Sequence, residues 1–265
     1  MPAISVIIPT HNRLELFKQA LSSAEHQSCK PREIVVVVDG STDGTVEYVN
    51  NLASNTLRVL VNSENRGGAH SRNQGAKITQ GDWLAFLDDD DVWHADKLEK
   101  QAAIINDAPA ALCYSGATVI TRKGCRKRHS FYAPKYGDQY KSIMFDNFIG
   151  TTSSVIIKKK VFDACGGFDP ELSALQDYDL YIRVLKDYNS VWTDESLVDY
   201  RVVAENKNVS CSKTSFDQAK ACLIRKYKAS PYIGLLKRSL RLIEAKKVMK
   251  SSHYFLQYAR SLIWK

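Results

Sequence analysis

The chain has 265 residues, of which 44% are hydrophobic and 25% are charged, and its formal net charge is +8. This composition is typical of a soluble globular protein with room for one large α/β domain, or for a domain plus a helical tail. The apolar runs are too short for a membrane span or a secretion signal, and six scattered cysteines without CxxC or zinc-finger spacing favour reduced thiols in a cytosolic protein.

Apolar runs rich in Val and Ile alternate with helical patterns in the first part of the chain. The runs predict strands over Ile4–Pro9, Ile34–Asp39, Leu57–Asn62 and Trp83–Asp88. The intervening patterns predict helices over Leu14–Ser28, Thr45–Ala53, Ala69–Thr79 and Lys97–Asp107. This alternation is typical of a parallel, doubly wound sheet with helices on its faces.

Less regular patterns follow in the second part of the chain. Runs over Ala111–Ser115, Ser154–Lys158 and Ser190–Thr193 predict a mixed extension of the sheet. Helical patterns resume at Ser215, and Pro231 divides them into at least two helices. We therefore predict an α/β domain over residues 1–206 and a helical tail over residues 207–265.

Polar segments follow the ends of all four early strands. They are residues 10–13, residues 39–44, residues 65–68 and the run Asp88–Asp91. Ligands of such sheets bind beyond the carboxyl ends of the strands. We therefore expect the four segments to converge on one rim and to form a single ligand site there.

The run Asp88–Asp91 says most about function. Four adjacent carboxylates repel one another, and capping of the next helix by Asp91 or Asp96 accounts for only one of them. A calcium loop is excluded because Val92 and Trp93 stand where a ligand and a glycine are needed. Grouped hard oxygen ligands suit Mg²⁺ or Mn²⁺ beside a phosphate. The run thus indicates a metal-assisted enzyme that acts on a nucleotide or another phosphate compound.

Two further acidic positions have both a structural and a chemical interpretation. Asp39 begins a segment similar to a phosphatase signature, but Ser41 stands where that signature has its nucleophilic aspartate. We expect Asp39 to face a ligand, while Asp43 or Thr42 caps the next helix. Asp177 lies near the start of a predicted helix, whose dipole favours the ionised carboxylate at neutral pH. Asp177 is either a capping residue or a reactive carboxylate.

The predicted tail carries the excess of positive charge. Residues 207–265 contain 14 Lys and Arg against 2 acidic residues, a charge of +12, whereas residues 1–206 contain 23 basic and 27 acidic residues, a charge of −4. Aromatic residues such as Tyr254, Phe255 and Trp264 are mixed with these cations, which favours contact with an anionic membrane surface. A solvated helical face is the structural alternative. No nucleic-acid partner is expected, because no named nucleic-acid motif is present.

Five segments in the same order resemble the family 2 glycosyltransferases. They are Ser-Val-Ile-Ile-Pro-Thr-His-Asn-Arg at 5–13, Val-Val-Asp-Gly-Ser-Thr-Asp-Gly-Thr at 37–45, Asn-Arg-Gly-Gly-Ala-His-Ser-Arg-Asn-Gln-Gly at 65–75, Phe-Leu-Asp-Asp-Asp-Asp-Val-Trp at 86–93, and Gly-Gly-Phe-Asp at 166–169 followed by Gln-Asp-Tyr-Asp at 176–179. The resemblance covers about residues 3–201. It implies a GT-A fold, an α/β sandwich around a mixed, mainly parallel sheet. It also implies transfer of a sugar from a nucleotide donor with inversion, usually with a divalent metal, Mn²⁺ or Mg²⁺.

The resemblance also implies roles for single residues. Nucleotide-sugar binding is assigned to Pro9, Thr10, Asn12, Arg13, Asp39, Arg72, Asp88 and Asp89, metal binding to Asp90 and Asp91, and the role of catalytic base to Asp177. Asp90 is the expected direct metal ligand, Asp91 shares or replaces it, and Asp89 acts mainly as a spacer. Gln176 stands where the family often has a glutamate, and His11 where it frequently has a tyrosine.

We therefore expect residues 1–206 to form a glycosyltransferase domain, with a nucleotide-binding half over 1–110 and an acceptor half over 111–206. The expected donor is a UDP-sugar that carries a hexose or an N-acetylhexosamine. The expected acceptor is a glycan or a lipid-linked intermediate of bacterial surface polysaccharide synthesis, handled in the cytoplasm, peripherally on the inner face of the plasma membrane. A sugar nucleotidyltransferase and a non-catalytic nucleotide-sugar or glycan-binding module are the two alternatives.

Overall fold

A nine-stranded β-sheet forms the centre of the computed structural model, which describes residues 2–52, 56–121, 126–128, 133–202 and 213–250. Within these ranges the strands are β1 (Ile4–Thr10), β2 (Glu33–Asp39), β3 (Leu57–Asn62), β4 (Trp83–Phe86), β5 (Val92–Trp93), β6 (Leu112–Thr121), β7 (Arg126–Arg128), β8 (Val155–Lys158) and β9 (Ser190–Val202). The helices are α1 (Leu14–Glu25), α2 (Thr45–Asn50), α3 (Gly68–Ile78), α4 (Lys97–Asp107), α5 (Gln139–Phe145), α6 (Lys159–Ala164), α7 (Gln176–Asp187), α8 (Lys213–Lys226) and α9 (Ile233–Lys250).

The sheet has a parallel part and a mixed part. Its strand order is β3–β2–β1–β4–β8–β6–β9–β5, and β7 pairs with β6. The first four strands of this order are parallel to one another, whereas β8 runs antiparallel to both β4 and β6. β6 is parallel to β9, and β5 is antiparallel to it. The mixed α/β sheet expected from the sequence is thus confirmed, and its parallel part is the alternating first part of the chain.

Two hydrophobic cores lie on the two faces of the sheet. Successive side chains of a strand point to opposite faces, and strands covered on both faces are apolar throughout. In β2, Val36 and Val38 pack with the buried residues of α1 and α4. Val35 and Val37 pack instead with those of α3, α5, α6 and α7. The parallel strands are therefore fixed between helical layers, and their carboxyl ends share one edge.

Two strands are longer than the sequence predicts. β6 continues to Thr121 and β9 to Val202, because the two strands pair in parallel from Leu112 and Ser190 to these ends. Polar residues at 193–196 interrupt the apolar pattern of β9, so the pattern alone predicts an end at Thr193. The short elements α5, α6 and β5 also carry too few residues for a recognisable period, and they were not predicted.

The described part of the predicted tail packs on the domain. Pro231 lies between α8 and α9, as predicted. The core that contains Tyr178 of α7 also contains four buried residues of these two helices, Ala219, Leu223, Leu236 and Leu240. Both helices are therefore part of the packed molecule, and the division at residues 206 and 207 stays a prediction.

Some expectations for the tail fall outside the described residues. These are the aromatic residues Tyr254, Phe255 and Trp264, which belong to residues 251–265. Among the described helices, none is long and apolar enough to cross a membrane. Among the described cysteines, Cys113, Cys165 and Cys222 are free of disulfides and Cys29 is buried, while Cys125 and Cys211 lie outside the described ranges.

Candidate active site

A cleft of about 840 Å³ opens at the carboxyl ends of the parallel strands. All four polar segments expected to converge there contribute to its walls. From these segments it is lined by Pro9, Thr10, His11, Arg13, Asp39, Asn65, Arg66, Gly67, Gly68, Asp88, Asp89 and Asp90. From the second part of the chain it is lined by Val119, Asn147, Gly150, Thr151, Thr152, residues 170 and 172–177, and Tyr200.

The segment after β1 places a cation against the acidic run. The Arg13 guanidinium donates at 3.0 Å both to Asp89 Oδ1 and to Asp90 Oδ2. Burial acts against the charge of Arg13, but Asp89 and Asp90 outweigh it and raise the pKa of Arg13. Asn12 does not line the cleft. Its φ is +51°, and its Oδ1 accepts the backbone N–H of Thr42 at 2.7 Å, so Asn12 ties the first segment to the second.

Asp39 and Asp43, at the end of β2, have different roles. The Asp39 carboxylate is 3% exposed and accepts the Asn62 side-chain N–H at 2.8 Å and the Gly67 backbone N–H at 2.8 Å. Gly67 has a φ of +90°, which favours glycine. Asp43 accepts the backbone N–H of Leu14 at 2.8 Å and that of Thr45 at 3.2 Å, at the starts of α1 and α2. Asp39 thus shapes the wall of the cleft, while Asp43 caps the starts of α1 and α2.

Neighbouring residues of the Ser-Arg-Asn segment of α3 have different partners. Arg72 donates from Nη2 to Asp88 Oδ1, and Asp88 outweighs the effect of burial and raises the pKa of Arg72. Asn73 accepts the Phe168 N–H at 2.9 Å and donates to the Phe168 carbonyl at 2.7 Å. Gly167 has a φ of +69°, and a Cβ there would lie 2.6 Å from Asn73 Oδ1. Arg72 therefore reaches the acidic run, while Asn73 holds the turn before α7.

The acidic run itself is split between the cleft and the interior. Asp88, Asp89 and Asp90 line the cleft, and burial together with the charges of Asp88 and Asp89 raises the pKa of Asp90 to about 6. Asp91 is fully buried. Its Oδ2 accepts the Ser153 hydroxyl at 2.6 Å, and its Oδ1 accepts a backbone N–H at 3.1 Å. The structure therefore does not bring Asp91 into the cleft as a metal ligand, because the interior holds both of its oxygens.

The acidic run offers carboxylates to a metal but does not form a complete protein cage for it. Within the described residues, no three His, Cys, Asp or Glu side chains form a metal-binding group. Asp88 and Asp90 face the cleft, and Mg²⁺ is commonly held by one or two carboxylates together with substrate phosphates. Carboxylate oxygens suit Mn²⁺ as well. These residues thus fit a divalent metal that would take its remaining ligands from a bound phosphate compound.

Asp177 faces the same cleft from the start of α7. The residue before this helix, Leu175, has a φ of +59°, and helix α7 begins at Gln176. Asp177 accepts the N–H of Tyr178 at 2.8 Å. Burial raises the pKa of Asp177 to about 6, and it outweighs this hydrogen bond and the attraction of Arg72. Burial therefore outweighs the lowering of the pKa that the helix start is expected to cause, although a carboxyl with this pKa is still mostly ionised at neutral pH.

The sequence did not assign a site role to several residues of the wall formed by the second part of the chain. Tyr200 lies at the end of β9, where burial and then Asp91 raise its pKa. Gln176 lines the cleft and donates to the Leu172 carbonyl at 2.6 Å, which holds the segment before α7. The small polar run at residues 150–154 is the signal in the sequence that could have indicated this wall.

Residues 5–166 match the family model described as Glycosyl transferase family 2. The chain belongs to this family. A full-length relative is the putative teichuronic acid biosynthesis glycosyltransferase TuaG of Bacillus subtilis (strain 168), which is 28% identical over 268 residues that cover 100% of this chain and 97% of TuaG. The amylovoran biosynthesis glycosyltransferase AmsB of Erwinia amylovora is 29% identical over 76% of this chain and 70% of AmsB.

Solved structures of other glycosyltransferases share the fold of this family 2 member. S. aureus TarS 1-349 in complex with UDP-GlcNAc superimposes with a TM-score of 0.71 at 19% identity, covering 89% of this chain and 71% of TarS. The mannosyltransferase PcManGT from Pyrobaculum calidifontis, in complex with GDP-Man and Mn²⁺, gives a TM-score of 0.63 at 20% identity, covering 99% of this chain and 78% of PcManGT. These likenesses confirm the GT-A fold.

Proposed function

We propose that this glycosyltransferase transfers a hexose or an N-acetylhexosamine, with inversion, from a UDP-sugar to a glycan or lipid-linked acceptor in bacterial surface polysaccharide synthesis. The observation that carries the proposal is the shared cleft, in which Asp88 and Asp90 form one wall and Asp177 another. Arg72 joins the two acidic centres, since it donates to Asp88 and attracts Asp177. Two acidic centres across one cleft are suited to a metal-bound leaving group and a general base.

The donor would lie along the ends of β1, β2 and β4. Pro9, Thr10 and Asp39 form the wall assigned to the nucleoside. Arg13 and Arg72, which pair with the acidic run, would contact the diphosphate. A divalent metal at Asp88 and Asp90 would offset the negative charge that develops on the leaving diphosphate.

Asp177 would act as the base toward the acceptor. A hydroxyl is a weak nucleophile until a neighbouring carboxylate takes its proton as the new bond forms. The raised pKa of Asp177, about 6, improves its capacity to accept that proton while it remains ionised at pH 7. Attack from the side of Asp177, with the leaving group on the side of Asp88, inverts the anomeric carbon.

Known proteins support the substrate class. TarS is seen with UDP-GlcNAc and with UDP, and PcManGT with GDP-Man and Mn²⁺. The names of TuaG and AmsB refer to teichuronic acid and amylovoran biosynthesis. We infer from these relatives a polysaccharide acceptor and a UDP-sugar donor. The cytoplasmic face of the plasma membrane is the proposed place of action, with the basic tail as the predicted contact.

Calorimetric titration with UDP, GDP and dTDP sugars, with and without Mn²⁺, tests the donor and the metal together. A UDP-sugar should bind most tightly, and omission of Mn²⁺ or the change Asp90→Asn should weaken that binding. Release of nucleoside diphosphate in the presence of acceptor should follow. Consumption of a nucleoside triphosphate with pyrophosphate release would instead identify a nucleotidyltransferase, and donor binding without any turnover would identify a binding module.

A further inference from the structure

Helices α5 and α9, with the segment just before α5, carry a cluster of cations and aromatic rings at the surface. We call Lys135, Tyr136, Lys141, Phe145 and Arg238 the α5–α9 patch. The Lys135 ammonium lies 4.0 Å from the centre of the Phe145 ring, and the Lys141 ammonium lies 4.4 Å from that of Tyr136. The Arg238 guanidinium lies 5.2 Å from the Phe145 ring, and the two rings are 5.8 Å apart. The patch is therefore one contiguous surface.

The charge of this surface is largely uncompensated. Lys135 and Arg238 are exposed, and no ion pair in the described part of the chain engages the cations of the patch. Helix α9 contains six Lys or Arg and a single acidic residue, Glu244, which pairs with Lys220 of α8 at 2.5 Å. Asp138 borders the patch, but its carboxylate accepts the Tyr232 hydroxyl at 2.8 Å. The surface therefore favours an anionic partner.

The patch lies beside the acceptor wall of the cleft. Phe145 ends α5, and Asn147, two residues later, lines the cleft. The Tyr178 hydroxyl, next to Asp177 in the chain, donates to the Ile143 carbonyl at 2.8 Å and lies 3.1 Å from Ser239 Oγ. Both helices of the patch thus contact the helix that carries Asp177. A partner bound to the patch would approach the cleft from the side of the base.

We infer that the α5–α9 patch seats the protein on an anionic lipid bilayer, so that a lipid-linked acceptor enters the cleft at Asn147. This inference rests on the lipid-linked acceptor of the proposed function. Basic side chains are attracted to anionic lipid headgroups, and aromatic rings favour the boundary between headgroups and acyl chains. No described helix can cross the bilayer. The contact is therefore peripheral and weakens as salt screens it.

Flotation of the full chain with lipid vesicles tests the patch. Wild type should float with phosphatidylglycerol-containing vesicles at low salt, but not with pure phosphatidylcholine vesicles. The test variant combines Lys135→Glu, Lys141→Glu and Arg238→Glu. Each basic residue near an anionic surface contributes about fivefold to the partition constant, so the loss of three positive charges should weaken binding on the order of a hundredfold, and their reversal should weaken it further. A second variant, with glutamine at the same positions, removes the charges without reversing them; it should show the hundredfold loss and serves as the test if the glutamates disturb folding.

The matched control combines Lys30→Glu, Lys77→Glu and Lys186→Glu, which change the net charge equally at exposed positions outside the patch. This control should float like wild type. Flotation of the test variant at the wild-type level, equal loss in both triple variants, or no flotation of wild type would each overturn the inference. UDP-sugar affinity, measured on the same samples, should be unchanged by the patch substitutions. Absence of donor binding by wild type would contradict the proposed function alone.

Discussion

Asp177 has two properties of a general base, namely access to the cleft and a pKa near neutrality. Burial raises its pKa to about 6, although the N–H of Tyr178 and the charge of Arg72 act in the opposite direction. Such a carboxylate is mostly ionised at pH 7, yet it accepts a proton more readily than an exposed aspartate. The start of helix α7 alone predicts a lowered pKa. The raised pKa depends on packing, which the sequence does not show.

The pH dependence of transfer follows from this pKa. At saturating Mn²⁺, kcat/KM should fall about tenfold per pH unit below pH 6, because only the ionised Asp177 accepts the proton of the acceptor. Asp177→Asn should lower kcat by roughly 10²–10⁴-fold and leave donor affinity unchanged. Release of nucleoside diphosphate, with calorimetric donor affinity at each pH, measures both. A flat wild-type profile down to pH 5, or turnover by the variant, would contradict the role of Asp177.

The same buried charge reduces stability. The folded pKa of about 6 lies above the ordinary 3.8, so the free energy of unfolding falls as the pH rises from about 4 to about 6. Asp177→Asn should therefore raise that free energy by roughly 1–3 kcal/mol at pH 7 and change it little at pH 4. Urea denaturation in metal-free buffer measures the change at both pH values.

Asp179, two residues further along α7, provides the matched control. Its carboxylate is fully buried, but Arg183 and Lys226 pair with it at 2.8 and 2.9 Å. Removal of one charge from a buried ion pair leaves the partners uncompensated. Asp179→Asn should therefore destabilise the protein at pH 7, opposite to Asp177→Asn. Destabilisation by both variants would show that the charge of Asp177 does not lower the free energy of unfolding.

The sequence identifies the four aspartates of the acidic run, but it does not show which of them face the cleft and which lie in the interior. Asp90 meets Arg13 in the cleft, whereas Asp91 is held inside by Ser153. The sequence alone does not distinguish adjacent aspartates, because their environments depend on contacts with residues that are distant in the chain. Asn12 shows the same limit, since its amide binds the backbone of the next segment rather than facing the cleft.

At the scale of elements, the turn Thr152–Ser154 connects the acidic run to the wall of the cleft that the second part of the chain forms. Ser153 Oγ accepts the N–H of Asp88 at 3.1 Å and donates to Asp91 at 2.6 Å. Its carbonyl accepts the Trp93 indole N–H at 2.8 Å. Thr152 lines the cleft, while Ser153 is fully buried beneath it. The placement of the carboxylates proposed to hold the metal therefore depends on this turn.

Removal of the Ser153 hydroxyl should weaken donor binding without any direct contact to the donor. Ser153→Ala frees the Asp88 N–H and leaves Asp91 with one hydrogen bond fewer, so stability should fall by roughly 1–3 kcal/mol and Mn²⁺-dependent donor affinity by roughly five- to fiftyfold. Ser154 is the control, because its equally buried hydroxyl donates to the Thr151 carbonyl at 2.7 Å. Ser154→Ala should lower stability alone. Equal donor affinity of both variants in calorimetry would contradict the positioning role.

The local sequence pattern predicts those elements in which apolar residues recur at a regular spacing. The predicted Leu57–Asn62 and Lys97–Asp107 agree with β3 and α4 at both ends. A regular apolar period determines both, so the sequence alone is sufficient. β9 differs, since its polar stretch at residues 193–196 is a strand because of pairing with β6. The extent of a strand that depends on pairing with a distant segment therefore cannot be predicted from the local sequence pattern.

For the whole molecule, the distribution of charge and the distribution of buried contacts differ. The predicted boundary at residues 206 and 207 coincides with the change in charge from −4 to +12. Yet Tyr227, directly after α8, donates to Asp179 of α7 at 2.8 Å, and Ser239 of α9 contacts Tyr178. Charge describes the surface, whereas buried apolar contacts determine which elements fold together. The helix that carries Asp177 is thus supported by helices from the predicted tail.

A shared core should make the domain and these helices unfold together. Leu236 of α9 is fully buried in the core of α5 and α7, so Leu236→Ala should lower the free energy of unfolding by about 2–5 kcal/mol. The loss should also appear as faster amide exchange in β1 and β2, far from α9, because cooperative unfolding links them. Lys237→Ala, at the exposed neighbouring position, should change neither quantity. Two separate transitions, with unchanged exchange in β1 and β2, would instead show that the tail is an independent unit, as the predicted boundary at residues 206 and 207 implies.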